Sequence, residues 1–146
     1  MRPVLVVEDN EADIDAIREG FLGHFPQRQV VFVRDGAAGL KLICGEGDGK
    51  RRKTIDPALI IMDLSVPVVN GGELLEQLKK NPQTAHIPIV VFTDHQTDNV
   101  RRDAYGLGAN AFVVKPFGRT KFLEAVGRIG KFWLEKNRLP PMRAFR

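Results

Sequence analysis

Residues 58–81 read ALIIMDLSVPVVNGGELLEQLKKN, and the order of residue types in this stretch decides the fold. Ala58 to Met62 are apolar without alternation and stop at Asp63. A strand that is apolar on both sides is buried on both faces, as in a parallel sheet covered by helices. Pro67 and Gly71-Gly72 punctuate the loop that follows. Leu74, Leu75 and Leu78 then recur at helical spacing, which predicts a helix over Glu73 to Lys80, stopped before Asn81-Pro82.

The same unit recurs on either side. Val4 to Val7 predicts a buried strand ending in Glu8-Asp9. Asn10 reads as a helix N-cap with Asp13 at the third helical position, and Ile14, Ile17, Phe21 and Phe25 carry the helix to about Gly23. Gln29 to Val33 is a second strand, Asp35-Gly36 a turn, and Ala37 to Cys44 a second helix. Gly45 to Pro57 is a long polar loop. Ile87 to Phe92 is a fourth strand ending in Thr93, and a weakly amphipathic helix follows from Thr97 to Leu107. Ala111 to Val114 is a fifth strand ending in Lys115-Pro116. Phe122, Val126, Ile129 and Trp133 stripe a last helix from Thr120 to about Lys136. Five β-α units imply an α/β fold, an open doubly wound five-stranded parallel sheet with helices on both faces.

Composition bounds what such a chain does. At 146 residues it is expected to be one domain, able to bury about two-thirds of its unfolded surface. No run of about 18 apolar residues occurs, so no transmembrane helix is expected. The N-terminus MRPVLVVEDN turns acidic too early for a secretory signal, and the single cysteine, Cys44, excludes an intrachain disulfide framework. The cytoplasm is the expected location. The formal charge of +4 is unevenly spread. Lys50, Arg51, Arg52 and Lys53 form one basic cluster, and Lys136, Arg138, Arg143 and Arg146 another. Without those eight residues, 14 basic face 18 acidic side chains, and the body carries a net −4.

In open α/β sheets, ligands bind outside the carboxyl ends of the strands. There this sequence gathers Glu8, Asp9 and Asp63, the hydroxyl of Thr93 and the ammonium of Lys115. Three carboxylates repel one another at close range, so they call for a cation. Lys115 can neutralise one. A hard divalent ion such as Mg²⁺ suits the rest, together with waters and a phosphate oxygen. With charge screened in this way, a carboxylate can attack phosphorus and form an acyl phosphate. Thr93 and Lys115 would hold the phosphoryl oxygens. Any one of these residues alone reads as a cap or a solvated side chain; four strand ends of one sheet together do not.

The strings VLVVEDN (4–10), LIIMDLSVPVVNGGELL (59–75), IVVFTDH (89–95) and FVVKPF (112–117) resemble the receiver domains of two-component response regulators, in order and over nearly the whole chain. The resemblance implies the flavodoxin-like strand order 2-1-3-4-5 and a switch rather than an enzyme in its own right. Phosphoryl transfer and its reversal would be self-catalysed. It makes Asp63 the phosphoacceptor and Thr93 the switch hydroxyl. Lys115 becomes the phosphate-binding lysine. Asp9, Asp63 and the carbonyl of Ser65 become Mg²⁺ ligands, with Glu8 acting through water. Phe112 falls at the switch aromatic, where it also reads as a core residue of the fifth strand. Lys115-Pro116 matches a Lys-Pro pair commonly joined by a cis bond. Asp94 stands where the family usually has a small residue, and Asn70 where an Asp is frequent; Asn70 reads as exposed loop variation.

EDNEADIDAIREGF (8–21), the loop at 45–57 and KFWLEKNRLPP (131–141) further resemble the single-domain regulators that partner phytochrome-type sensor histidine kinases. This implies a receiver over residues 1–136 with a basic, proline-containing tail at 137–146. It also implies a homodimer through the fourth helix, fifth strand and fifth helix. Phe132 and Trp133 are adjacent and cannot share one core face. Either one is an interface anchor, or one is buried and the other caps the domain end.

Two other functions compete. A haloacid-dehalogenase-type phosphatase with Asp9 as nucleophile expects a second Asp two residues on, where Glu11 stands, and a cap insertion that is missing. Nucleic-acid binding by the basic segments is opposed by the small size of each cluster and the acidic body. Residues 137–146, all that follow the last predicted helix, are too few for a DNA-binding module. Output is therefore expected through protein contacts or passage of the phosphoryl group down a relay. The basic loop is a candidate contact for an acidic partner.

Overall fold

The computed structural model describes residues 1–45 and 55–141. The basic cluster Lys50 to Lys53, and Arg143 and Arg146 of the second, lie outside the described residues. Five parallel strands, β1 (Val4–Val7), β2 (Val30–Val33), β3 (Leu59–Met62), β4 (Ile89–Thr93) and β5 (Ala111–Val114), pair in the order β2-β1-β3-β4-β5. Between them run α1 (Glu11–His24), α2 (Gly36–Cys44), α3 (Gly71–Lys80) and α4 (Asp98–Gly106), and α5 (Arg119–Gly130) closes the series. The doubly wound sheet predicted from the sequence is the sheet observed.

Strand pleating divides the core in two. Leu5, Val7, Ile60, Met62, Ile89 and Val91 face Leu74, Leu75 and Leu78 of α3. Val4, Val6, Leu59, Ile61, Val90 and Phe92 face Ile17 and Phe21 of α1 and Phe122 and Val126 of α5. Successive side chains of one strand enter opposite clusters, which is why these strands, Thr93 at the end of β4 apart, carry no polar positions. No helix among the described residues is long and apolar enough to cross a membrane.

Local chemistry sets the helix starts. Asn10, Asp35, Asn70 and Thr97 each cap a helix, their side-chain oxygens accepting an N–H three residues on. Asn70 is therefore no mere loop variant. It accepts from Glu73 N–H at 2.9 Å and donates to Glu73 Oε1 at 3.0 Å, which starts α3 two residues before the predicted Glu73. Gly71 follows because nothing larger fits: a Cβ there would stand 2.6 Å from the carbonyl oxygen of Asp63. Gly71→Ala is expected to lower stability by about 2 kcal/mol, through overpacking against backbone that cannot yield. Urea denaturation measures this, and an unchanged midpoint would contradict the close approach.

The predicted last helix reaches Lys136, but its α-geometry ends at Gly130. Residues Lys131–Lys136 widen into a π-helix, closed by a bond from Asn137 N–H to the Phe132 carbonyl at 2.8 Å. Gly130 lies against Phe25, where a Cβ would be 2.5 Å from the ring. Past it, Trp133 packs on the α1/α5 core cluster while Phe132 is 52% exposed, the two rings edge to face at 4.9 Å. No cis peptide bond occurs among the described residues, so Lys115–Pro116 is trans and not cis as in the family pattern. The trans form is the cheaper one for X–Pro by about 0.5–1 kcal/mol.

Candidate functional site

The sheet register carries the chemistry to one edge. Val7 pairs with Met62, Met62 with Val91, and Thr93 with Val114. The ladder continues one residue beyond the strands. Glu8 N–H donates to Val33 O at 3.0 Å, Asp63 N–H to Val7 O at 3.0 Å, and Lys115 N–H to Thr93 O at 2.8 Å. The backbone under each of these side chains is thus clamped by its neighbour strand.

Four of these side chains are buried: Glu8 at 2% exposure, Asp63 at 6%, Thr93 at 0% and Lys115 at 7%. Lys115 Nζ donates to Glu8 Oε1 at 2.6 Å, to Asp13 Oδ2 at 2.6 Å and to Asp63 Oδ2 at 2.7 Å. The other Asp63 oxygen, Oδ1, accepts from Thr93 Oγ1 at 3.2 Å, from Ser65 N–H at 3.1 Å and from Ser65 Oγ at 3.0 Å. Glu8 Oε2 accepts the backbone N–H of Asp9 at 3.1 Å and of Asn10 at 3.3 Å.

The titration behaviour follows from these contacts. Burial pushes the Glu8 carboxyl above its usual range, and its bond to Lys115 offsets this only in part. Burial pushes Asp63 upward too, but bonds from Lys115 and from both Ser65 donors outweigh it and hold Asp63 below the usual range. For Lys115, burial favours the neutral amine, yet bonds to Asp13, Asp63 and Glu8 prevail and raise its pKa. One permanently charged ammonium therefore sits beside one firmly ionised carboxylate.

Of the residues singled out in the sequence, Glu8, Asp63, Thr93 and Lys115 meet at this point. Asp9 stands at the rim with an exposed side chain, and Ser65 enters through its N–H and hydroxyl. Phe112 is half-buried on the α3/α4 side of the sheet, next to Val91 in register. Asp94 is exposed. Asp13 was legible only as a first-turn residue of α1. Its bond to Lys115 spans 102 positions of sequence, and no local signal marks it.

Glu8, Asp9, Asp13 and Asp63 set four carboxylates against one ammonium, which leaves an acidic site. Glu8, Asp9 and Asp63 offer the hard oxygens that a divalent cation takes. Among the described residues, no group of three or more acidic, His or Cys side chains is arranged to hold a metal ion by itself. An ion here would keep several waters, which suits Mg²⁺.

Residues 4–127 match the family model described as the response regulator receiver domain. The chain is 34% identical over 143 residues to the probable methanogenesis regulatory protein FilR2 of Methanothrix harundinacea, covering 94% of this chain and 86% of that one. It is 32% identical to the response regulator Rcp1 of Synechocystis sp., covering 94% and 92%. A Mn(2+)-bound form of Rcp1 superimposes with a TM-score of 0.85, 29% identity, and 97% and 100% of the two chains covered. The phosphorylated cyanobacterial phytochrome response regulator RcpA superimposes with a TM-score of 0.87, at 31% identity, over 96% of this chain and 99% of that one. With its sheet order, its acidic strand-end site and this match over most of its length, the chain belongs to the response regulator receiver family.

Proposed function

We propose that Asp63 is the phosphoacceptor of this response regulator, and that a histidine kinase is the source of the phosphoryl group. The carrying observation is the division of labour on Asp63: Lys115 on one oxygen, Thr93 and Ser65 on the other. Asp63 is ionised, buried and held in place, as a nucleophile must be. A carboxylate oxygen of Asp63 attacks phosphorus, forming an O–P bond as the P–N bond of a phosphohistidine breaks. The imidazole, protonated on its other nitrogen, leaves neutral. Thr93 Oγ1 and Lys115 Nζ donate to the phosphoryl oxygens and stabilise the charge that develops there. A divalent cation, with Mg²⁺ the natural choice, would be held by Asp9, Asp63 and the Ser65 carbonyl, with Glu8 through water. It supplies further charge neutralisation. The same protein groups support later attack by water, so the chain turns over no separate substrate.

The fold gives this chemistry a readout. When Thr93 turns toward the phosphoryl group it vacates space beside β5, and Phe112, half-buried there, moves inward. The receiver extends over residues 1–136, with 137–146 as its tail. A homodimer through α4, β5 and α5 is supported by exposed Tyr105 on α4 and by Phe132 beyond α5. Phytochrome-type kinases are the proposed partners, on the likeness to Rcp1 and RcpA, and the cytoplasm is the proposed location. The experiment is labelling with phosphoramidate in the presence of Mg²⁺. A stoichiometric, hydroxylamine-sensitive phosphoryl adduct that EDTA prevents is expected. Absence of an adduct in folded protein, or fast turnover of a phosphomonoester instead, would contradict the proposal.

A further inference from the structure

Lys115 has three N–H bonds to give, and all three go to carboxylates: Glu8, Asp13 and Asp63. An ammonium has three donors and no more, so it is saturated. A phosphoryl oxygen arriving beside Asp63 is gripped by Lys115 only if one acceptor lets go. The three are not equivalent. The side chains of Glu8 and Asp63 are 3% and 6% exposed, that of Asp13 22%. Glu8, released, would be a buried carboxylate without a cation, a costly state. Asp63 is the group being modified. Asp13 lies on the first turn of α1, anchored through its own N–H to Asn10 Oδ1 at 3.0 Å, and can turn its carboxylate to water without moving the backbone. The positive end of the helix supports that charge in either position.

Resting on the reading of Asp63 as phosphoacceptor, we infer that Asp13 is the exchangeable partner of Lys115. It is a positioning residue that holds the ammonium before phosphorylation and yields it to the phosphoryl group afterwards. Two consequences have the same sign. The Asp13–Lys115 bond exists only in the unphosphorylated state and so favours that state. Once released, the Asp13 carboxylate lies close to a phosphoryl dianion and repels it. Asp13 thereby limits how tightly and how long the phosphoryl group is held.

The test uses beryllofluoride with Mg²⁺ as the phosphoryl probe, its affinity measured by calorimetry on the full chain. The lifetime of the acyl phosphate is then followed after donor removal. Asp13→Asn preserves shape and is expected to bind the probe about tenfold more tightly, the size of one charge-assisted hydrogen bond partly screened by water. Its acyl phosphate should persist several-fold longer, and Asp13→Glu, which restores the carboxylate, should return both values toward those of the unaltered chain. Asp15→Asn removes a neighbouring acid that pairs with Arg18 at 3.1 Å and not with Lys115, and should change neither. Asp13→Ser, lacking both the charge and the amide, serves as a second variant and should behave as Asp13→Asn does. An Asp13→Asn protein with unchanged or weaker probe affinity overturns the exchange, as does an equal gain in Asp15→Asn. If the unaltered chain itself fails to bind the probe, the phosphoacceptor reading falls. If it binds and only the Asp13 effect is missing, the exchange alone falls.

Discussion

Lys115→Met is expected to slow phosphorylation by phosphoramidate about a hundredfold, the usual consequence of removing one donor from a developing oxyanion. The same change should cost about 3 kcal/mol of stability at neutral pH, because it leaves Glu8 and Asp63 buried without their cation. The loss should be smaller at lower pH. Without Lys115, burial acts on Glu8 with no cation to offset it, so that carboxyl lies further above its unfolded value. The folded variant then binds a proton there more readily than the unfolded chain, and stability is gained as pH falls. In the unaltered chain Lys115 works in the opposite sense. Its raised pKa gives stability that is complete below the unfolded lysine value and is lost as pH rises through the folded one. Denaturation of both proteins at neutral and mildly acidic pH, beside labelling rates at neutral pH, checks the two halves together. A variant that is equally stable and labels at the normal rate would remove Lys115 from the mechanism.

Asp63→Asn should eliminate labelling altogether, since a carboxamide is no nucleophile toward phosphorus. Its fold should survive. The Asn oxygen can still accept from Thr93 and Ser65, and Lys115 keeps Glu8 and Asp13. The pH signature is distinct. Asp63 is held below its usual range, so its contribution to stability is present above the unfolded carboxyl value of about 3.9 and disappears as pH falls through the folded value. Asn does not titrate. The stability of the unaltered chain relative to Asp63→Asn should therefore decline as pH falls below about 4. A difference constant across that range would mean that Lys115 and Ser65 do not stabilise the charged carboxylate.

The strands and four of the five residues at the buried centre were legible in the sequence because their signals are local. Val4 to Val7, Leu59 to Met62 and Ile89 to Phe92 are apolar throughout, and a residue just past a parallel strand can only lie at its carboxyl edge. Asp13, the fifth, was hidden because an acid in the first turn of a helix is ordinary, and only the packing of α1 beside the end of β5 gives it Lys115 as a partner. Asn70 is exposed in the loop as read, but its capping role was missed for the opposite reason. Its capping bonds to Glu73 are local, but loop composition masked the Asn-x-x-Glu pattern. The α-geometry of the last helix ends at Gly130, which lies against the Phe25 ring, a contact from a distant helix end that the Phe122-to-Trp133 stripe does not encode.

The most direct measurement is to locate the phosphoryl group. The protein labelled with phosphoramidate and Mg²⁺ is treated with borohydride, which reduces an acyl phosphate to an alcohol, and the peptides are sequenced by mass spectrometry. Reduction confined to Asp63 is the expected result. Reduction at Asp9 or Glu8 instead, or none in protein that is folded and labelled, would contradict the role of Asp63 as phosphoacceptor.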